Sequence, residues 1–216
     1  MHGRLKTLLT ALALATCTAA QATDRLQSLV DATVRPVMEE YDIPGMAVAI
    51  SHNGQARYFN YGVARLDDQQ AVTSDTLFEI GSLSKPLTAT LAALAQTTGK
   101  LTLMDSAGQH WPELRGSQLE HASLLNLGTY TAGGLPLQFP DQVTDPASML
   151  AYYRQWQPEH IAGTHRRYSN PSIGLLGMLA AKSMGQPFPT LMEGTLFPAL
   201  GMPHSYIQVP AAQMPR

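Results

Sequence analysis

Apolar positions Leu26, Leu29, Val30, Val34 and Val37 recur at helical spacing between Asp24 and Tyr41, and Ile43-Pro44-Gly45 ends the pattern, so an amphipathic helix is predicted there. Two short runs rich in Val, Ile, Tyr and Phe follow, Met46 to Ser51 and Ala56 to Gly62. Asn53-Gly54 joins them, which predicts an antiparallel hairpin. A two-stranded hairpin is marginal alone and its edge calls for further strands, yet none is evident before Arg216. From about Ser82 the periodicity turns helical, with helices predicted over Leu87 to Thr98, Ala147 to Trp156, Ile173 to Ser183 and Pro189 to Leu200. Long irregular stretches separate them, above all Thr129 to Asp145, where Gly133, Gly134, Pro136 and Pro140 cluster. Loops of that length inside a compact domain are often functional. No internal repeat or low-complexity segment interrupts this plan.

With 44% hydrophobic residues, the 216-residue chain holds enough apolar material for one large or two small domains. The 14 Lys and Arg and 16 Asp and Glu are spread without blocks, so there is no basic face for a phosphate backbone and nucleic acid is not an expected partner. The start of the chain is organised differently. His2, Arg4 and Lys6 precede an apolar centre, Leu8 to Ala15, and Ala20-Gln21-Ala22 offers small residues for cleavage. This is the layout of a secretory signal, so residues 1–22 are expected to be removed, the mature chain to begin at Thr23, and the protein to reside in the periplasm. A stable membrane anchor is not expected, because Thr7, Thr10, Thr16 and Thr18 interrupt a stretch already too short to span a bilayer. Cys17, the only cysteine, falls in the same segment, so the exported chain would carry no thiol and would depend on packing alone for its stability.

The candidate chemistry begins at Ser82-x-x-Lys85, within Phe78-Glu79-Ile80-Gly81-Ser82-Leu83-Ser84-Lys85. On a helix this spacing sets the ammonium one turn from the hydroxyl and on the same face. A serine is a weak nucleophile until a neighbouring base takes its proton, and a lysine can serve or can stabilise the base that does. If Ser82 also opens the helix, its backbone N–H is free to donate to an oxyanion. A Ser-x-x-Lys pair arises by chance about once in a chain of this length, so the context carries the weight. Gly81 permits a close approach, the flank from Thr76 to Ile80 reads as buried, and a helical run follows, with Pro86 in the first turn where no intrahelical bond is lost. The second element is Tyr168-Ser169-Asn170, whose phenol and amide point the same way if the backbone is extended. Tyr58-Phe59-Asn60 has the same spacing but sits in a predicted hairpin strand, where it is ordinary alternation. The seven histidines show no metal-ligand spacing, His165 and Arg166 read as loop solvation, and no glycine run has the phosphate-binding pattern. No metal or other cofactor is expected.

Taken together, these residues resemble the serine β-lactamases of class C, relatives of the penicillin-binding DD-peptidases. The resemblance is carried by Ile43-Pro44-Gly45-Met46-Ala47-Val48, Phe59-Asn60-Tyr61-Gly62, Phe78 to Lys85, Thr129-Tyr130-Thr131-Ala132-Gly133-Gly134-Leu135-Pro136-Leu137-Gln138 and Arg167 to Gly174. It implies an α+β fold, with an antiparallel sheet flanked by helices and a mainly helical domain. On that plan residues 23–81 form the helix and hairpin of the α/β domain, and 82–216 the mainly helical domain carrying the motifs. It implies acylation of Ser82 by the β-lactam carbonyl of penicillins and cephalosporins, with Lys85 and Tyr168 sharing the proton relay and Tyr168 as base for the deacylating water. Asn170 and Gln138 would hold the amide side chain of the small-molecule substrate. A monomer is expected. The separation of Ser82 from Tyr168 also suits that family and favours the later Tyr-x-Asn.

The sequence departs from the family in one respect. The Lys-Thr-Gly or Lys-Ser-Gly triad that forms the opposite wall of the family's site does not occur; Lys182-Ser183 is followed by Met184 on a predicted helix. The expectation is therefore an N-terminal partial sequence lacking the C-terminal strands of its sheet, poorly stable and nearly inactive by itself. Rival readings are a DD-peptidase or esterase of the same superfamily and a non-catalytic truncated product. Gly134-Leu135-Pro136-Leu137-Gln138 favours the lactamase.

Overall fold

A computed structural model describes residues 25–214, so the expected signal segment and Cys17 lie outside the described residues. The described chain falls into two compact units that divide between Phe78 and Glu79.

In the first unit, helix α1 (25–40) is followed by strands β1 (Gly45–His52) and β2 (Gln55–Gly62), paired antiparallel from Gly45 opposite Gly62 to His52 opposite Gln55. Asn53 and Gly54 both adopt positive φ, 51° and 76°, which gives the tight turn a twist that matches the strands. Alternation sets one face inward: Val48 lies opposite Phe59 and Met46 opposite Tyr61, and these pack on Val30 and Val34 of α1. Tyr58 and Asn60 lie on the other face and are exposed, as ordinary strand alternation predicts. The Tyr61 hydroxyl donates to Asp31 at 2.8 Å, which ties the sheet to the helix.

The second unit is helical. Helix α2 (Ser84–Thr97) follows a single 3-10 turn over Gly81–Leu83, and short helices α3 (Ala107–His110) and α4 (Leu124–Gly128) come next. Helix α5 (Pro146–Gln155) starts with Pro146 at its first position behind an Asp145 cap, whose carboxylate accepts the Ser148 N–H at 2.8 Å. Helix α6 (Asn170–Ser183) is apolar almost all round and is the central element, burying Ile173, Leu175, Leu176, Leu179, Ala180 and Ala181. The last helical run passes from α7 (Phe188–Leu191) through one π-turn (Met192–Leu196) to α8 (Phe197–Ala199). Pro198, which cannot donate a backbone hydrogen bond, stands just beyond the wide turn.

The predicted helices are all present, but α3 and α4 fall in a stretch read as irregular. Four or five residues are too few for a periodic signal, and these helices are set instead by side-chain caps. Ser106 and Gln109 form a reciprocal box at α3, and the Ser123 hydroxyl accepts the Asn126 N–H at 3.0 Å at α4.

Helices α2 and α6 approach closely because Gly177 has no side chain. A Cβ at Gly177 would lie 2.7 Å from Thr88 Cγ2 and 3.0 Å from Phe188 Cε2. Gly177→Val should therefore destabilise the fold by about 1–3 kcal/mol, the usual cost of overpacking. It should also slow any chemistry that needs the two helices in register. A denaturant midpoint equal to that of the parent protein would show that the crossing tolerates the added volume.

Candidate active site

Of the predicted site residues, Ser82, Lys85, Tyr168 and Asn170 lie at the N-terminal ends of α2 and α6, and Gln138 lies in the loop between α4 and α5. Gly81, at φ 51°, leads into the 3-10 turn that holds Ser82, and the Ser84 hydroxyl ties the turn together by donating to the Gly81 carbonyl at 2.8 Å. Lys85 follows one turn on, and its Nζ donates to Ser82 Oγ at 2.9 Å. Pro86 lies in the first turn of α2. The Ser82 backbone N–H has no acceptor among the described residues, as expected where a helix begins.

From the other side, the Tyr168 hydroxyl reaches Ser82 Oγ at 2.9 Å. Lys85 Nζ stands 5.0 Å from the centre of the Tyr168 ring. The phenol's pKa is held below that of an ordinary tyrosine. The nearby Lys85 ammonium is the largest cause, followed by the bond to Ser82 and, more weakly, the charge of Arg166; partial desolvation works the other way. The Ser82 hydroxyl thus has the Lys85 side chain and a phenol of lowered pKa in direct contact.

Asn170 is placed differently from its prediction. Only Tyr168 and Ser169 precede the helix; Asn170 is already its first residue, because the buried Ser169 hydroxyl caps α6 by accepting the Ser172 N–H at 3.1 Å. Asn170 lines a cavity of about 380 Å³ together with Lys85, Thr88 and Gly174. Its Oδ1 is buried without a hydrogen-bond partner among the described residues. Its own N–H donates to the Leu137 carbonyl at 3.0 Å, which brings the Gln138 segment alongside. The Gln138 side chain is exposed.

Two residues the sequence did not single out hold this arrangement. Arg167 donates to both carboxylate oxygens of Glu159, at 2.9 and 2.6 Å, and to the Gly134 carbonyl at 2.9 Å. This planar fork pins the glycine-rich loop to the residue before Tyr168. Gly133, at φ 120°, is required there, since a Cβ would meet the His160 carbonyl at 2.8 Å. The other is Tyr130, which adopts φ 62° just past the end of α4, a conformation that costs an L-residue about 1–2 kcal/mol. Arg166, read as loop solvation, lies 5.2 Å over the Tyr130 ring and so has a stacking partner as well as solvent. No short motif announces such contacts, because their partners lie eight residues apart for Arg167 and Glu159 and more than thirty apart for Arg167 with Gly134 and Arg166 with Tyr130. Among the described residues no group of three or more His, Cys, Asp and Glu could hold a metal ion. No described helix is long and apolar enough to cross a membrane.

A serine hydroxyl thus meets a lysine and a tyrosine at the mouths of two packed helices, and comparisons with known proteins show the family. The family model described as Beta-lactamase matches residues 30–216. A beta-lactamase of Pseudomonas fluorescens is 57% identical over 193 residues, covering 89% of this chain and 54% of that protein. Among solved structures, a beta-lactamase/D-alanine carboxypeptidase from Pseudomonas syringae aligns with a TM-score of 0.85 at 46% identity, over 88% of this chain and 54% of its own. A class C beta-lactamase in complex with cefoxitin aligns with a TM-score of 0.85 at 49% identity, over 89% of this chain and 54% of its own. The chain belongs to the beta-lactamase family, and its α+β fold is that of the class C structures. It spans about half the length of the curated relatives it matches.

Arg167→Met keeps the side chain's bulk and removes the fork. Hydrogen exchange at Glu159, whose N–H donates to the Gly133 carbonyl at 2.9 Å, should quicken several-fold. Amides in the core of α6 should not change. Unchanged exchange at Glu159 would mean that the glycine loop holds its place without Arg167.

Proposed function

We propose that this chain carries the nucleophile side of a class C β-lactamase site that hydrolyses the ring amide of penicillins and cephalosporins through a Ser82 acyl-enzyme. The observation that carries the reading is the pair of contacts on Ser82 Oγ, from Lys85 Nζ and the Tyr168 hydroxyl, both at 2.9 Å. Tyr168, in its ionised form, takes the Ser82 proton as Oγ attacks the β-lactam carbonyl. The ring C–N bond breaks, and the proton passes through Tyr168 to the departing nitrogen. Tyr168 then takes a proton from water, the hydroxide attacks the ester carbonyl, and Ser82 leaves with that proton. Lys85 favours the phenolate throughout, and the free Ser82 N–H supplies an oxyanion donor. The unpartnered Asn170 Oδ1 and the neighbouring Gln138 support a role in holding the amide side chain of the antibiotic. The reading needs no cofactor.

The name of the Pseudomonas syringae neighbour favours D-alanine carboxypeptidase activity as a second reading. Intact-mass measurement after incubation with a penicillin should show an adduct that Ser82→Ala abolishes. Tyr168→Phe should slow its formation by about 10²–10⁴, the usual worth of a positioned general base. An adduct persisting in Ser82→Ala would refute the assignment. With a chromogenic cephalosporin, steady turnover by the whole protein supports the lactamase, whereas a stalled adduct supports the peptidase.

We also propose export to the periplasm, supported by the charged start, apolar centre and Ala20-Gln21-Ala22 of the sequence. Sequencing of the protein released from the periplasm should begin at Thr23; a chain retaining residues 1–22 would refute the cleavage.

A further inference from the structure

Helix α4 ends in a two-bond motif that glycine usually completes. The Tyr130 N–H donates to the Leu127 carbonyl at 3.3 Å and the Thr131 N–H to the Asn126 carbonyl at 2.8 Å, with Tyr130 between them at φ 62°. A tyrosine is among the poorer choices for a left-handed position, since its Cβ crowds the following carbonyl and it gains nothing there from a local side-chain bond. Strain retained in this way calls for a compensating contact of the side chain. Tyr130 makes one: its ring packs on the Tyr168 ring with centres 5.0 Å apart, tilted by 47°. The Arg166 guanidinium lies 5.2 Å from the centre of the Tyr130 ring. The Tyr130 carbonyl accepts the Arg167 N–H at 3.0 Å, so ring and backbone both engage the segment that bears Tyr168.

We propose that Tyr130 is a positioning residue for the active-site phenol: held in a left-handed turn at the end of α4, its ring keeps Tyr168 aimed at Ser82 and keeps Arg166 beside it. This rests on the reading of Tyr168 as the base and extends it to a residue whose ring packs on that phenol. Among the described residues, the groups that face Tyr168 are Lys85 and Ser82 from the start of α2, Tyr130 from the end of α4, and Arg166 from its own segment. Both cations favour the phenolate. Without the Tyr130 ring, Arg166 loses its platform and moves into water, and a smaller fraction of Tyr168 is ionised at a given pH.

The test uses Tyr130→Gly, Tyr130→Phe and Arg166→Met in the whole protein, with three readouts. Tyr130→Gly relieves the strain of the left-handed turn but gives up the packing of the ring on the core, so it should fold with a thermal midpoint only a few degrees below that of the parent. Its acylation by a cephalosporin should nonetheless fall by about 10–10², the order expected when a catalytic group is misplaced. The acid limb of its kcat/KM profile should move to higher pH, and Tyr130→Phe should restore both rate and profile. The 13Cζ resonance of Tyr168, assigned by loss in Tyr168→Phe, should titrate at higher pH in Tyr130→Gly and in Arg166→Met. Parental acylation and an unmoved Tyr168 titration in Tyr130→Gly would overturn the proposal. If Tyr130→Gly fails to fold, the titration in Arg166→Met still decides whether the stacked cation acts on the phenol. If the parent forms no Ser82 adduct, the base assignment fails, while the Tyr168 titration, read without any β-lactam, still tests the positioning.

Discussion

The close approach of α2 and α6 is the constraint on which the site depends. Ser82 stands in the turn that enters α2, and Tyr168 two residues before α6, so the contact of 2.9 Å between their oxygens exists only while the two helices keep their spacing. That spacing is set by the hydrogen in place of a side chain at Gly177, against Thr88 and Phe188. Ser82 therefore sits where a helix begins, and unpaired N–H groups and the helix dipole there favour negative charge. Burial of nearly the whole circumference of α6 makes the arrangement stiff, because displacing the helix would open cavities on several sides at once.

A second tier of bonds joins α6 to α4. The Leu127 carbonyl, near the end of α4, accepts the buried Ser172 hydroxyl from α6 at 2.7 Å as well as the Tyr130 N–H. The chain from Tyr130 to Leu137 is then stitched to the segment from Arg167 to Asn170 by two main-chain bonds and by the Arg167 fork. The fork is partly exposed and salt weakens it, whereas the main-chain bonds are indifferent to ionic strength.

Much of this was legible in the sequence. Period-two alternation and Asn53-Gly54 specified the hairpin, and period-3.6 runs specified the long helices. Ser82 and Lys85 were legible because a helical spacing coincided with a telling context, and Tyr168 through the family resemblance. What could not be read was anything governed by a cap or by a non-local bond. Helices α3 and α4 are too short to show a period. Asn170 looked extended because the Ser169 cap moves the helix start back to it. Tyr130, flanked by threonines, gives no signal of positive φ, since the residue that normally betrays such a turn is glycine.

The Phe139 ring stands edge-on to Tyr152 and Tyr153, with centres 5.3 and 5.4 Å away, and Asp145 caps α5. The residues between, 140–144, thus leave one fixed point and return to another. Lengthening such a surface excursion raises its closure entropy only by about 0.6 kcal/mol per doubling. The protein thus owns a stretch of chain beside Gln138 whose length and composition can drift without disturbing the helices. New shapes of neighbouring surface could be sampled there by insertion, with the hydrogen-bonded frame around Ser82 left as it was.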